Sequence, residues 1–181
     1  DFVEPPTLRR SAADRFVAAE VAATRSAAGL LDTGVYARYE VRGPGAGKWL
    51  DHLLASRLPA VGRIRLAPML NPAGRLMGDF TVTRLDDARF RVITGAGTVD
   101  SDLGWLRLNL REEDGAVELR DVSEELAVIG LWGPRARDVL EGVTDDDVGD
   151  QALPFRTART IEIGGSEVLA QTAADVVGID A

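Results

Sequence analysis

Cysteine is absent from the 181-residue chain, and histidine occurs once, as His52. The first absence excludes disulfides, thiolate metal sites, iron–sulfur ligation and a cysteine nucleophile. The second excludes a histidine-rich metal site and leaves His52 as the one residue that a Ser-His-Asp triad would have to use. Positive charge is also in deficit. Twenty-one Lys and Arg stand against 29 Asp and Glu, giving a formal net charge of −8 and a pI near 4.7. Such a chain suits neither a nucleic-acid backbone nor an anionic lipid surface. No apolar run reaches the roughly 18 residues that a membrane-spanning helix needs. Neither nucleic acid nor membrane is therefore an expected partner. The first residue is Asp1 rather than Met, which reads as a processed chain or a piece of a longer one. With no export leader recognised, cytoplasmic residence is the expectation.

What is present is globular. Hydrophobic residues make up 45% and charged residues 28%, the composition of an ordinary folded domain. Residues 1–10 carry Pro5, Pro6, Arg9 and Arg10 and read as an extended arm. Residues 11–28 read as a helix with Phe16, Ala19 and Ala23 on one face, Ser11 and Asp14 at capping-box spacing, and Gly29 as its stop. The alternation in 35–42 predicts a half-buried strand, with Val35, Ala37, Tyr39 and Val41 inward and Tyr36, Arg38, Glu40 and Arg42 outward. A helix over 44–56 follows, with Trp49, Leu50, Leu53 and Leu54 as its apolar stripe. Further strands are predicted around 64–70, 75–85, 89–94, 116–120, 126–132, 159–163 and 167–171, and helices over 98–110 and 134–141. Residues 75–85 and 89–94 read as an antiparallel hairpin. So do 159–163 and 167–171, around Gly164 and Gly165. Mixed helices and hairpin-paired strands predict an α+β class rather than a doubly wound parallel sheet.

One pattern occurs twice. Gly43, Pro44, Ala46 and Leu50 correspond to Gly133, Pro134, Ala136 and Leu140, each set following a strand and opening an amphipathic helix. Two readings are open, a convergent strand-to-helix turn and a pseudo-duplicated β-α unit.

Several constellations resemble sites and fail on inspection. Gly43 to Lys48 lacks the first P-loop glycine, since Arg42 stands there, and Trp49 replaces the magnesium-binding hydroxyl. Gly95, Ala96 and Gly97 sit between a strand and a helix, as a dinucleotide loop would. Asp100 in the third glycine position would repel a pyrophosphate, so the simpler reading is a helix entry with Asp100 and Asp102 favouring the helix dipole. His52 beside Asp51 reads as a surface histidine. Asp145, Asp146 and Asp147 lack calcium-loop spacing and read as a solvated turn.

Asp79 is different. It lies inside a strand of strong β-formers, where Asp is disfavoured. Thr81 and Thr83 share its face, while Leu76, Phe80 and Val82 take the other. Gly78 beside it would let a ligand approach the backbone. A carboxylate on a rigid strand suits acid–base work or a hydrogen bond to an amine. A solvent-facing Asp guarding an edge strand is the other reading.

At GRLMGDFTVTR (74–84) the chain resembles the T-protein (aminomethyltransferase) superfamily. AGLLD (28–32), YEVRGPGA (39–46), the 53–85 stretch, RFRVITG (89–95) and GLWGPRARDVL (130–140) extend the likeness. The chain is most similar to the folate-binding domain of dimethylglycine and sarcosine dehydrogenases. The resemblance implies that 11–181 is a partial aminomethyltransferase folate-binding domain, incomplete at its C-terminus. It also implies tetrahydrofolate as cofactor and transfer of a one-carbon unit to it, coupled to oxidative N-demethylation of a methylated amino acid or amine. FAD would lie in a separate domain or flavoprotein subunit, or in the missing remainder of a larger chain. The family's essential strand Asp falls on Asp79, its pocket-lining apolar positions on Leu66 and Ile93, a folate-adjacent glycine on Gly95 and a cofactor-contacting position on Tyr36. The sequence departs from the family at its Tyr-x-Gly-Glu motif, where AADVVGIDA (173–181) keeps Gly178 and has Ile179 in the Glu place. A non-catalytic subunit that scaffolds a multi-subunit oxidase is the competing function, and a nucleotide-binding domain using Gly95 and Gly97 a third.

Overall fold

Strands form here where apolar residues alternate, and glycine or proline turns end them. The computed structural model describes residues 11–172; the expected arm at 1–10 and the 173–181 departure lie outside them. Helix α1 (Asp14–Ser26) precedes β1 (Gly29–Asp32), β2 (Ala37–Arg42) and α2 (Ala46–Leu53). Three strands follow, β3 (Ile64–Leu70), β4 (Leu76–Arg84) and β5 (Arg89–Thr94), then α3 (Val99–Leu108), β6 (Glu118–Asp121) and β7 (Ile129–Trp132). Helix α4 (Ala136–Glu141) and the hairpin β8 (Ala158–Ile163) and β9 (Ser166–Gln171) complete the described chain.

The central element is a five-stranded antiparallel sheet in the order β3-β4-β5-β2-β6. Ribbons β1-β7 and β8-β9 are separate two-stranded antiparallel sheets. One face of the central sheet carries the core. Tyr39 and Val41 of β2, Ala67 and Met69 of β3, Phe80 and Val82 of β4, and Phe90 and Val92 of β5 pack with Trp49 and Leu50 of α2 and Leu106 of α3. The buried aromatics keep their polar tips satisfied. Trp49 Nε1 donates to Asn109 O at 2.7 Å and Tyr39 Oη to Val99 O at 2.9 Å. Burial, then the negative charges of Asp121, Asp102 and Asp100, push the Tyr39 phenol up to about 12.

Several expectations need correction, and Val35, expected inward, is exposed. Arg38 and Glu40 are buried, because β2 lies between β5 and β6 and both of its faces are covered. Helix α1 buries none of its residues, and Phe16, Val17 and Val21 are exposed. Its cap also differs: Ala13 stands at the N-cap, and Ser11 instead accepts the Ala13 and Asp14 amides through Oγ and O. Leu76 is exposed because a register shift between Met69 and Leu70 interrupts the alternation there.

The repeated Gly-Pro-x-Ala pattern gives the same local structure twice. Gly43 and Gly133 have φ of +121° and +105°. In each case the amide of the following Ala, Ala46 or Ala136, donates back to the glycine carbonyl at 3.0 Å, and that alanine is buried. A Cβ at Gly43 would collide with the Ala116 carbonyl, and one at Gly133 with the Thr24 carbonyl. Gly43→Ala is therefore expected to cost at least about 2–3 kcal/mol through strain and clash. The lower urea midpoint at an unchanged slope is the measurement that checks it.

Candidate functional site

The polar face of the central sheet opposes the core. Its residues are placed by register alone. Leu66 of β3 pairs with Thr81 of β4, Thr81 with Ile93 of β5, and Ile93 with Arg38 of β2, so these four form one transverse row. Asp79 stands two residues before Thr81 on the same face of β4, opposite Pro68. The β2-β5 ladder stops at Ala37–Thr94 and the β4-β5 ladder at Thr81–Ile93; Tyr36 lies just before β2 and Gly95 just after β5. Of the five residues singled out, Asp79, Leu66 and Ile93 thus lie on one face of one sheet, and Tyr36 and Gly95 lie at the neighbouring ends of β2 and β5.

The side chains of this end are available. Asp79 is exposed and has no hydrogen-bond or ion-pair partner among the described residues. Leu66 is 49% and Tyr36 45% exposed, and Ile93 and Thr81 are partly buried. Asp79 faces solvent, as the other reading expects; β4 is an internal strand only over Thr81–Arg84, where β5 pairs with it, and at Asp79 it pairs with β3 alone. The backbone of Tyr36 is held by Arg38, whose Nη1 donates to Tyr36 O at 2.6 Å and to Gly34 O at 2.9 Å while Nη2 donates to Ser123 O.

Gly78 serves the protein rather than a ligand. A Cβ there would stand 3.0 Å from Phe80 Cζ and 3.2 Å from Asp102 Oδ1, so the space above it is already filled. Asp102, expected only to favour the helix dipole, is buried.

Farther along the polar face lies an ion network. Arg89 Nε donates to Glu40 Oε2 at 2.9 Å and Arg91 Nη2 at 3.2 Å, while Arg42 makes a two-pronged contact with Glu118 at 2.8 and 2.9 Å. Burial alone would raise the Glu40 carboxyl. The hydrogen bond and charge of Arg89, with Arg91, outweigh it and hold the group below the usual carboxylate range. Sequence reading missed this network, having assigned Arg38 and Glu40 to solvent. The available signal was charges alternating on a strand between two predicted strands.

The rejected motifs stay rejected. Residues 76–84 and 89–94 pair as an antiparallel hairpin, which removes the parallel sheet a dinucleotide fold requires. The Gly43 and Gly45 amides are already bonded to Ala88 O and Ala116 O. His52 is exposed, and its Nε2 lies 2.6 Å from Arg111 Nη1. Asp146 takes the Arg159 guanidinium and the Glu162 amide, and no metal-binding cluster occurs among the described residues.

Two recesses open elsewhere. Arg42, Asp86, Arg89 and Glu118 line one, and Lys48, Asp51, His52, Arg111 and Asp114 the other. Neither is lined by Asp79, Leu66, Ile93, Gly95 or Tyr36. The sheet face is the floor on which Asp79 and Leu66 stand exposed and Ile93 is partly buried.

Residues 1–174 match the GCVT N-terminal domain family. The chain is 32% identical over 165 residues to mitochondrial dimethylglycine dehydrogenase of Rattus norvegicus, covering 91% of this chain and 19% of that protein. It is similar to the solved glycine cleavage system aminomethyltransferase T from Bartonella henselae, with a TM-score of 0.68 and 27% identity, over 77% of this chain and 37% of that one. It shares the fold of heterotetrameric sarcosine oxidase from Corynebacterium sp. U-96, with a TM-score of 0.63 and 24% identity, over 91% of this chain and 82% of that one.

Proposed function

Because the chain belongs to the GCVT N-terminal domain family, we propose that its polar sheet face binds tetrahydrofolate and serves one-carbon transfer coupled to oxidative N-demethylation of a small methylated amine. The observation that carries this reading is the carboxylate of Asp79, without a hydrogen-bond or ion-pair partner among the described residues, on the same sheet face as Leu66 and Ile93. The residues present fit the group. The exposed Leu66 and partly buried Ile93 suit the flat faces of a reduced pterin, and a carboxylate unpartnered among the described residues suits its N–H donors. When bound, tetrahydrofolate supplies a secondary amine that accepts the one-carbon unit. Asp79 would accept the hydrogen bond of that amine and stabilise the positive charge it gains. Leu66 and Ile93 would keep water from one side, and Tyr36 would border the sheet end.

The rest of the site comes from outside this floor. The exposed Leu30 and Ile129 on ribbon β1-β7, and the exposed Phe16 and Val17 of α1, support contact with a further part of the fold or another subunit. The dehydrogenase relative, of which the chain spans 19%, and the heterotetrameric oxidase with its fold support the same view. FAD would reside in that separate domain or subunit. A scaffolding role without chemistry is the competing function, and a free, pre-positioned carboxylate favours the catalytic one.

The test is titration of tetrahydrofolate into the protein in the assembly with which it purifies, followed by intrinsic fluorescence. Saturable binding is expected. An assembly that ignores tetrahydrofolate leaves the scaffold reading standing and ends this one.

A further inference from the structure

We infer that Asp102 is a positioning residue: from inside the core it fixes the 94–98 turn against β4, and so sets where Gly95 stands relative to Asp79. The inference rests on the folate reading above. Asp102 is 2% exposed. Its Oδ2 accepts Thr94 Oγ1 at 2.5 Å and Thr98 Oγ1 at 2.7 Å, the two hydroxyls that flank Gly95, Ala96 and Gly97. Its other oxygen faces Gly78, the residue before Asp79, closely enough that a Cβ there would be 3.2 Å away. One buried carboxylate therefore binds the turn that carries Gly95 and faces the strand that carries Asp79.

Helix-dipole stabilisation does not account for this placement. Asp100 lies in the same first turn, is exposed, and supplies that effect without desolvation. Burying a carboxylate is costly unless hydrogen bonds compensate, and here both donors among the described residues come from the turn. Tyr39 Oη, donating to Val99 O at 2.9 Å, ties the start of α3 to β2, and Asp102 ties the same helix to both ends of the 94–98 turn. The turn has little else to hold it. The Thr98 amide and hydroxyl both reach Gly95 O at a long 3.3 Å, and Gly95 and Gly97 have no atom within 4 Å of where a Cβ would stand.

Asp102→Ala, Asp102→Asn and Thr98→Val test this in the full chain within its native assembly. Two readouts are taken well below the melting temperature: tetrahydrofolate affinity, and amide hydrogen exchange over 95–98. Asp102→Ala should weaken tetrahydrofolate at least about tenfold, the scale of a sub-ångström to 1 Å misplacement, and speed exchange in the turn. Asp102→Asn keeps an acceptor oxygen and should rescue affinity to within about threefold. Should the alanine variant not fold, Thr98→Val, which removes one hydroxyl at an exposed residue, should shift both readouts in the same direction by about threefold. A variant that melts lower yet keeps wild-type affinity and wild-type exchange at 95–98 overturns the inference. If the wild type itself does not bind tetrahydrofolate, the folate reading fails separately, and exchange in the turn still decides whether Asp102 holds it.

Discussion

Asp79→Asn is expected to lower folate-dependent product formation at least about 100-fold while leaving the melting temperature unchanged or slightly raised. The two halves of this result have independent causes. Asn preserves shape and a hydrogen-bond acceptor but not the negative charge that would offset positive charge on the accepting amine. Stability should not suffer, because Asp79 is exposed, makes no hydrogen bond or ion pair among the described residues, and occupies a strand position where Asp is disfavoured. Asp79→Thr extends the test: a β-former should raise stability by a few tenths of a kcal/mol, about the span of strand preference, with the same loss of product. An enzyme that keeps its folate-dependent turnover after either change does not use this carboxylate. A loss of stability alongside a loss of product would point instead to an unrecognised structural tie.

The second large effect concerns stability. Removing Glu40 as Glu40→Leu is expected to cost about 3–5 kcal/mol, the scale for breaking a buried ion pair on one side. The side chain is 6% exposed and receives Arg89 and Arg91, and the Arg91 side chain is itself only 11% exposed. Without the carboxylate, Arg91 would be a buried cation with no counterion. The neighbourhood has little capacity to compensate, since Arg38 Nε, Arg91 Nε and Thr83 Oγ1 already lack hydrogen-bond partners among the described residues. At roughly 2–4 °C per kcal/mol for a chain of this size, the melting temperature should fall by about 10 °C.

The same residue gives a pH signature. Glu40 is held below its ordinary value of 4.5 in the folded protein. Its contribution to stability is therefore fully present above that value and is lost as pH falls through the folded value, because the unfolded chain takes up the proton first. Wild-type stability should decline on acidification below about pH 4.5 with a component that Glu40→Gln lacks. Parallel acid-unfolding curves for the two proteins would show that the pair contributes nothing to the linkage.

Much of the fold was legible because its signals are local. The strand at 89–94, the Gly-Pro-x-Ala entries to α2 and α4, and the 158–163 and 166–171 hairpin depend on alternation, turn chemistry and glycine at positive φ, all written in neighbouring residues. The α+β aminomethyltransferase-type fold, expected from hairpin spacing and family likeness, is the fold observed. What sequence reading lost was burial. Arg38 and Glu40 look solvent-facing on a single strand, and become internal only when β5 and β6 flank them. Asp102 looks like a helix-start acid, and its burial depends on a turn and a strand distant in the chain.

The sequence by itself marked Asp79, an Asp inside a β-forming strand, by parity and strand preference, while Leu66, Ile93, Gly95 and Tyr36 were added by the family likeness. Side-chain parity and backbone preference are properties of a few consecutive residues, so they need no fold to be read. Only the tertiary structure decided that Asp79, Leu66 and Ile93 share one sheet face, that Gly78 is closed to a ligand, and that Asp102 is buried facing Gly78. Those facts follow from cross-strand register and from desolvation. Both are set by segments that meet only when the chain is folded.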